Sequence, residues 1–383
     1  MSLRLRIAVG RFVSVGTLLV VAAAGQAQTR ARDLGVPFPG EPGERNAITD
    51  VSGVEVGHVT LIEGEGALRV GSGPVRTGVT MILPRGKSSN DPVFAGWFSL
   101  NGNGEMTGTA WVEESGFLEG PIAITNTHSV GVVRDAVIGW QAENGALLQP
   151  WSLPVVAETY DGYLNDINGF HVKKSHVSEA IDNASGGAVD EGGVGGGTGM
   201  ICYGFKGGIG TASRKVGEHV VSALVQANFG NRAQLTIAGA PIGAEIRNTP
   251  TPWDDGEALG SIIIVIATDA PMLPHQLKRL ARRASMGIAR TGGTSNNGSG
   301  DLFIAFSTAN PGAGKSEEES LVAMLANGQL TPIFRATVES VEEAIVNALV
   351  AGETMTGVDG HRVEALPHDE LRTVLRKYNR LSP

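Results

Sequence analysis

A serine that directly follows a glycine, Ser299 after Gly298, stands where a flexible segment meets a buried strand. The segment GGTSNNGSGDLFIAF covers residues 292–306, and it begins with only Gly, Thr, Ser and Asn. Its second part, residues 302–306, is continuously apolar, as expected for a strand covered on both faces. Glycine leaves its carbonyl carbon open to attack and tolerates strained backbone. This junction could therefore support attack by the serine hydroxyl on its own chain.

The chemistry at this junction would be an acyl shift. If the Ser299 hydroxyl attacks the Gly298 carbonyl, the peptide bond becomes an ester that water hydrolyses, and Ser299 gains a free α-amine. Such an amine titrates near pH ~8 and can act as the base for its own hydroxyl. The same residues also fit an ordinary loop in which Asn297 and Gly298 form a turn. The residue types alone leave both interpretations open.

Other patterns that could carry chemistry are weaker. The run GGVGGGTG (residues 192–199) lacks the strand before it, the helix after it and the lysine that nucleotide-binding loops need, which favours close packing of backbone on backbone. The sequence contains no H-E-x-x-H metal motif and no G-x-S-x-G nucleophile elbow. Cys202 is the only cysteine, so no intrachain disulfide is possible, and its apolar neighbours suggest a small buried side chain. We predict neither a metal nor an organic cofactor.

The elements that would position these residues alternate between strands and helices. We predict strands at residues 78–84, 121–127, 153–159, 199–205, 234–243, 261–270 and 301–309. We predict helices at residues 129–144, 217–230, 273–291 and 338–353. This mixture, with strands apolar enough to be covered on both faces, predicts an α/β fold.

The first residues of the chain and its net charge set further limits on its location and its partners. Residues 1–27 have a basic start, an apolar run and small residues before position 28, which is typical of a signal peptide and of export to a bacterial periplasm. The formal net charge of −9 argues against a nucleic-acid partner. We predict one domain over residues 28–383, with no membrane association once the signal peptide is removed.

The sequence resembles the DmpA/BapA group of self-cleaving aminopeptidases, peptidase family S58. The matching segments run in one order along nearly the whole mature chain: WVEESGFLEGPIAITNTHSVG, PVVAETYDGYLND, GGVGGGTGMICYGFKGGIGTASR, LVQANFG, NGSGDLFIAFST and ETMTGVDGHRVEALPHDEL. The resemblance implies a four-layer αββα sandwich and cleavage between Gly298 and Ser299. The products would be an α chain (residues 28–298) and a β chain (residues 299–383). It also implies removal of N-terminal residues from peptides, amides or esters, with D- or β-amino acids accepted by several members.

The resemblance also implies roles for single residues. Ser299 would be the nucleophile, and Glu158 would bind the ammonium group of the substrate through a charge-assisted hydrogen bond. Tyr160 resembles the family's tyrosine beside the scissile bond. Asn228 would donate to the oxyanion, although Asn231 lies close enough in sequence to take that role.

A second catalytic pair, a serine and a glutamate two residues apart, is implied downstream of the nucleophile. The best match is Thr337 with Glu339, where threonine replaces serine, and Ser340 with Glu342 offers the same spacing. Such a pair points the same way only in an extended segment, because residues two apart diverge by about 200° on a helix. Lys206 is a candidate for positive charge near the substrate.

Two alternatives to a self-processing aminopeptidase stay open. One is an amide hydrolase or acyltransferase of the same fold acting on a non-peptide substrate, although the relatives of that type known to us use threonine rather than serine as nucleophile. The other is a periplasmic protein that binds a small molecule without chemistry, which predicts one intact chain. The resemblance further implies a homo-oligomer, a tetramer of αβ units, acting on a small peptide or an amino-acid amide.

Overall fold

The computed structural model describes residues 28–252, 260–315 and 319–382. The predicted signal peptide, residues 1–27, lies outside the described residues. Two sheets form the centre of the molecule. The first has four strands in the order β1-β2-β5-β6. They are β1 (Glu55–Glu63), β2 (Val75–Leu83), β5 (Ile122–Asn126) and β6 (Val155–Thr159), and β5 runs parallel to β6.

The second sheet has six strands in the order β4-β3-β12-β11-β10-β9. They are β3 (Val93–Gly102), β4 (Phe117–Leu118), β9 (Gly208–Val216), β10 (His219–Asn228), β11 (Ser261–Thr268) and β12 (Gly300–Ser307). The β11 and β12 strands are parallel and the other neighbours are antiparallel. Two small hairpins complete the strands: β7 (Ile201–Cys202) with β8 (Phe205–Lys206), and β13 (Met355–Thr356) with β14 (Arg362–Val363).

The described residues form helices on the outer faces of both sheets and in the connections between strands. They are α1 (Thr109–Ser115), α2 (Val130–Glu143), α3 (Lys174–Asp182), α4 (Ile242–Glu245), α5 (Pro274–Ala281), α6 (Ala284–Arg290), α7 (Leu330–Val350) and α8 (His368–Lys377). Among the described residues, no helix combines the length and the apolar composition that a bilayer crossing requires.

Three apolar cores separate the layers. One packs α2 and α3 on the four-stranded sheet, one lies between the two sheets, and the largest packs α5, α6 and α7 on the six-stranded sheet. Alternate residues of β11 and β12 enter two different cores: Ile263 and Leu302 face the other sheet, whereas Ile264 and Phe303 face the helices. The layer order is helix, sheet, sheet, helix, so the predicted four-layer αββα sandwich is confirmed.

Four of the predicted elements differ from the structure. Residues 217–230, predicted as a helix, form β10, because their small and branched side chains alternate between two cores rather than along one helix face. Residues 234–243, predicted as a strand, run from the last residue of a 3-10 turn through a tight turn with one isolated bridge, Ile237 to Ala240, to the first two residues of α4. Only short strands occur within residues 199–205, and the predicted helix over residues 273–291 is divided into α5 and α6.

The glycine-rich run is packed against both sheets, as its sequence predicts. A methyl group on Gly196 would lie 2.6 Å from the Ile124 carbonyl oxygen, and one on Gly197 would lie 2.6 Å from the Ile209 nitrogen. Side chains at these positions would push backbone away from backbone. The run therefore has a structural role, which is to pack its backbone closely between the two sheets.

The strands of the six-stranded sheet begin or end along two opposite sides of the sheet. We call these two sides edges, and both matter for the site. We call the first the Ser299 edge, where β12 and β11 begin and β10 and β3 end; it contains Gly300, Ser261, Asn228 and Gly102. We call the other the far edge; it contains Ser307, Thr268, Val221, Arg214 and Phe94. Along β12 the two edges are roughly 23 Å apart.

Candidate active site

Ser299 lies immediately before β12, and only 5% of it is exposed. Its hydroxyl donates to Oδ1 of Asp301 over 2.6 Å, and its backbone N–H donates to the Asn296 carbonyl over 2.9 Å. The next residue, Gly300, donates its N–H to the Ser261 hydroxyl on β11. The hydroxyl is thus fixed at the head of a buried strand, as the sequence predicts for the junction.

The loop after β3 contacts the peptide bonds on both sides of Ser299. Asn103 donates its side-chain amide to the Gly298 carbonyl oxygen over 2.8 Å, and its backbone N–H to the Ser299 carbonyl over 3.3 Å. A methyl group on Gly300 would lie 2.4 Å from the Asn103 carbonyl oxygen. Gly300 is therefore required for the approach of this loop, because any Cβ there would displace Asn103.

Glu158, near the carboxyl end of β6, is buried close to the start of β12. Its carboxylate accepts hydrogen bonds from the Thr127 hydroxyl and, over 2.9 Å, from the backbone N–H of Glu105. A methyl group built on Gly104 would lie 3.2 Å from Oε1 of Glu158 and 3.2 Å from the Cα of Gly300, so one methyl-sized space separates them. Burial raises the pKa of Glu158 above its ordinary value, although the two hydrogen bonds oppose the shift.

Asn228 and Tyr160 meet at the Ser299 edge. Asn228 ends β10 opposite Ser261, and its side-chain amide donates to the Tyr160 carbonyl over 2.9 Å while its Oδ1 accepts from the Ile201 N–H over 2.8 Å. A side-chain amide carries two N–H donors, so this hydrogen bond uses one of them. The Tyr160 ring is about half exposed, and its hydroxyl lies against Gly162.

Asn231 lies elsewhere. It caps the 3-10 turn Arg232–Gln234, three residues past the end of β10. Of the two candidates for an oxyanion donor, Asn228 is the one that the sheet places in line with the start of β12.

The sequence interpretation missed Asp301, Asn103 and Thr127. Asp301 could have been found, because a residue two positions after Ser299 in a strand points to the same side. Burial raises the pKa of Asp301, although hydrogen bonds from Ser299 and Ser295 oppose the shift. Asn103 carried no such signal, since only the antiparallel pairing of β3 with β12 brings it to Gly298.

Thr337 and Glu339 do not belong to this site, so their prediction as a catalytic pair is wrong. Both lie on α7, where the Thr337 hydroxyl donates to the Ile333 carbonyl one turn earlier. The Glu339 carboxylate lies 3.9 Å from Arg214, a residue of the far edge. The resemblance transferred the pair into a helix, where residues two apart diverge.

The alternative pair, Ser340 and Glu342, lies at the same end. The Ser340 hydroxyl donates to the carbonyl of Val221 on the far edge, and Glu342 forms an ion pair with Arg290. The helix reaches the Ser299 edge only after its last turn, where a methyl group on Gly352 would lie 2.4 Å from the Lys206 carbonyl oxygen. Neither pair can touch a substrate bound to Ser299 in this structure.

Lys206 is a structural residue and not a substrate-binding one, which corrects its prediction. Its ammonium group is fully buried and donates to the carbonyls of Met200, Gly207 and Gly197. Burial lowers the pKa of Lys206 to about 7. Three carbonyl partners occupy its three N–H donors, so none is left for a ligand.

The site combines three functions that acyl transfer needs. The Ser299 hydroxyl is fixed and available for attack. The buried Glu158 carboxylate, one methyl-sized space from the start of β12, can hold a cation. The side-chain amide of Asn228 is available for a developing oxyanion. A buried carboxylate at this place could pair with a positive charge close to the hydroxyl. The arrangement suits a substrate with a free amine near its carbonyl.

Comparison with known proteins gives matches over nearly the whole chain. A model of peptidase family S58 matches residues 46–363. The β-peptidyl aminopeptidase BapA of Sphingosinicella microcystinivorans is 56% identical over 96% of this chain and 97% of that protein. The solved L-aminopeptidase D-Ala-esterase/amidase of Ochrobactrum anthropi, described as a prototype of the serine aminopeptidases and a variant of the Ntn hydrolase fold, superposes with a TM-score of 0.87. It is 51% identical and covers 92% of this chain and 99% of its own. A Burkholderia β-aminopeptidase superposes with a TM-score of 0.84, at 51% identity over 91% of this chain and 99% of its own.

Proposed function

We propose that this chain, which belongs to peptidase family S58, cuts its own Gly298–Ser299 bond and thereby frees the amine of Ser299. Ser299 then cleaves substrates that have a free N-terminal amine. The chain is a serine aminopeptidase of this family. The observation that carries the proposal is the position of the Ser299 hydroxyl at the head of β12, with the Glu158 carboxylate one methyl-sized space from the next residue.

The proposed reaction has two halves. The Ser299 hydroxyl attacks the first carbonyl of the substrate and passes its proton to its own α-amine, which self-cleavage has freed. The leaving amine takes that proton as the acyl-enzyme forms, and water then attacks the ester. Asn228 donates to the oxyanion in both halves, Glu158 holds the substrate ammonium, and Tyr160 lines the entrance.

We propose that the preferred substrates begin with a β-amino acid. In these substrates the amine lies one carbon further from the carbonyl than in α-amino acids. Glu158 and Ser299 are attached to different sheets, so the distance between carboxylate and nucleophile is set by the packing of rigid elements rather than by a mobile loop. The name of the Sphingosinicella relative supports this substrate class.

The test compares p-nitroanilides of β-homoalanine and L-alanine, each with a free and with an N-acetylated amine. We expect release of p-nitroaniline from the free-amine compounds, faster for the β-amino acid. The acetylated compounds should be nearly inert, because they present no cation to Glu158. Equal rates for free and acetylated forms would contradict the ammonium-binding role, whereas faster cleavage of L-alanine would overturn only the β preference.

Replacing Asn228 with alanine is expected to lower kcat about 100-fold, because one oxyanion donor contributes about 3 kcal/mol to transition-state stabilisation. The same change removes the hydrogen bonds to Tyr160 and Ile201. Thermal unfolding of the variant separates the two effects. A variant with native stability and unchanged kcat would remove Asn228 from the mechanism, and Asn231→Ala is the matched control, expected near the wild-type rate.

We further propose export to the periplasm through residues 1–27 and assembly into a tetramer of cleaved units. The basic start and apolar run of those residues support export. Activity should then be found in the periplasmic fraction of expressing cells. Sedimentation of the cleaved protein tests the tetramer.

A further inference from the structure

An exposed pair of stacked rings lies next to the residue that holds the Glu158 carboxylate. Phe170 is 57% exposed, and its ring stacks on the imidazole of His128, with 5.9 Å between the ring centroids and 19° between the ring planes. His128 directly follows Thr127, whose hydroxyl donates to Glu158. We propose that this pair, the Phe170–His128 platform, binds the side chain of the substrate's N-terminal residue and favours aromatic side chains. The inference rests on the proposed ammonium-binding role of Glu158.

The platform lies where two neighbouring strands end. β5 and β6 are parallel and their last residues, Asn126 and Thr159, are paired, so the chain leaves both strands at the same side of the four-stranded sheet. Glu158 lies one residue before this end of β6, and His128 lies two residues past the end of β5. Burial raises the pKa of Glu158, and the nearby His128 ring opposes that shift, so the two side chains are within electrostatic range.

The loop that carries Phe170 holds its ring in this exposed position. Asp166 accepts a hydrogen bond from the backbone N–H of Gly71 over 2.8 Å, and its carboxylate lies 2.9 Å from a ring nitrogen of His171. The φ of Phe170 is +51°, in the left-handed region that bulky residues rarely adopt. Exposure of a large apolar ring and a strained backbone both cost free energy. Stability alone does not favour this arrangement, whereas contact with a ligand would.

The chemistry of the substrate decides which of its groups reaches the platform. In an α-amino acid the carbon that bears the amine also bears the side chain, and the same holds for a β-amino acid substituted at its β carbon. An ammonium group held by Glu158 therefore places the first side-chain carbon about 2.5 Å from the bound nitrogen. The leaving group, by contrast, lies beyond the scissile carbonyl. A phenyl ring on the N-terminal residue can then stack on Phe170, with centroids about 4.5–7 Å apart.

The experiment measures kcat and KM for the p-nitroanilides of β-homophenylalanine and β-homoalanine, which differ only in the phenyl ring of the side chain. We expect F170A to lower kcat/KM for β-homophenylalanine roughly 10-fold, close to the most that one aromatic pair contributes, and to leave β-homoalanine within about two-fold of the wild type. The loss should appear mainly as a higher KM, because the platform binds ground state and transition state alike. F170Y keeps the ring and should keep the preference, and F170L should fall between them.

Trp151→Ala is the matched control. Trp151 is also 57% exposed, but it precedes β6, at the opposite end of the strand from Glu158. Loss of the aromatic preference in F170A, with W151A like the wild type, supports the inference. An unchanged ratio between the two substrates in folded F170A or F170L overturns it, and so does an equal loss in W151A. An equal fall for both substrates in F170A also overturns it, because the ring would then position Glu158 rather than bind a side chain. Thermal unfolding shows whether each variant is folded.

The N-acetylated forms of both substrates separate this inference from the proposed function. If the wild type cleaves them as fast as the free amines, Glu158 does not bind the ammonium group, and the inference fails together with that role. If the free amine is required but Phe170 does not control the preference for the phenyl ring, only the inference fails.

Discussion

Replacing Ser299 with alanine is expected to leave the chain in one piece and to lower kcat on amino-acid amides by a factor on the order of 10⁶, as for other hydrolases that lose their nucleophile. Both effects have one cause, because the same hydroxyl attacks the Gly298 carbonyl and the carbonyl of the substrate. The measurement is p-nitroaniline release from β-homoalanine p-nitroanilide by the purified variant, beside electrophoresis of the denatured chain.

Conservative variants provide the control for this prediction. Ser299→Thr keeps the hydroxyl and Ser299→Cys replaces it with a thiol, so both should retain slow cleavage and some turnover. Before any cleavage, the three variants should have nearly the thermal stability of the wild-type precursor, since the described structure shows one hydrogen bond of the Ser299 side chain, to Asp301. Full activity in an alanine variant that stays uncut would refute the nucleophile assignment.

Replacing Glu158 with glutamine is expected to lower kcat/KM for amine-terminal substrates roughly 100-fold, which corresponds to about 3 kcal/mol. The substrate ammonium would then be desolvated in a buried site without an opposite charge. Self-cleavage should proceed normally, because the Gly298–Ser299 bond presents no ammonium group. Kinetics on free-amine and des-amino anilides measure the effect, and the preference for the free amine should disappear in the variant.

Glu105→Gln is the matched control for this change. The side chain of Glu105 is exposed, and its backbone N–H donates a hydrogen bond to the Glu158 carboxylate. The substitution keeps this backbone contact. We expect this variant to retain nearly the wild-type kcat/KM. An equal loss in both variants would show that general negative charge, rather than the buried carboxylate, attracts the substrate.

The pH dependence follows from the same carboxylate. Burial raises the pKa of Glu158, and only the ionised form binds an ammonium group. The kcat/KM of the wild type should therefore fall as the pH drops through that raised pKa, at a higher pH than for an exposed glutamate. Glutamine does not titrate, so the profile of Glu158→Gln should lose the contribution of Glu158 and keep the fall in rate that protonation of the Ser299 α-amine causes.

Three of the candidate site residues named from the sequence and the resemblance lie at or near the start or the end of a single strand. The change of residue types at a loop and strand junction, together with the resemblance, predicted a role for Ser299, and the resemblance alone predicted roles for Glu158 and Asn228. The structure has Glu158 and Asn228 at or near the ends of strands, although the segment that contains Asn228 was predicted as a helix. Strands apolar on both faces predicted an α/β fold, and the resemblance alone predicted the αββα layers. These features depend on local pattern and on family likeness over the whole chain.

What the sequence did not predict depends on pairing between distant segments. Asn103 reaches Gly298 only through the register of β3 with β12. Lys206 has a loop-like sequence but is buried, because backbone carbonyls rather than solvent surround its ammonium. Thr337 and Glu339 matched a two-residue spacing, but a spacing says nothing about which end of a 21-residue helix meets the site.

The central claim is that Ser299 becomes an N-terminal nucleophile, and the most direct measurement is the intact mass of purified wild-type protein under denaturing conditions, with N-terminal sequencing of the smaller chain. The proposed mechanism predicts two chains, the smaller beginning with Ser-Gly-Asp at residue 299 and ending at residue 383. A single uncut chain that nevertheless hydrolyses amino-acid amides would contradict the claim, because its Ser299 nitrogen would still be a peptide nitrogen.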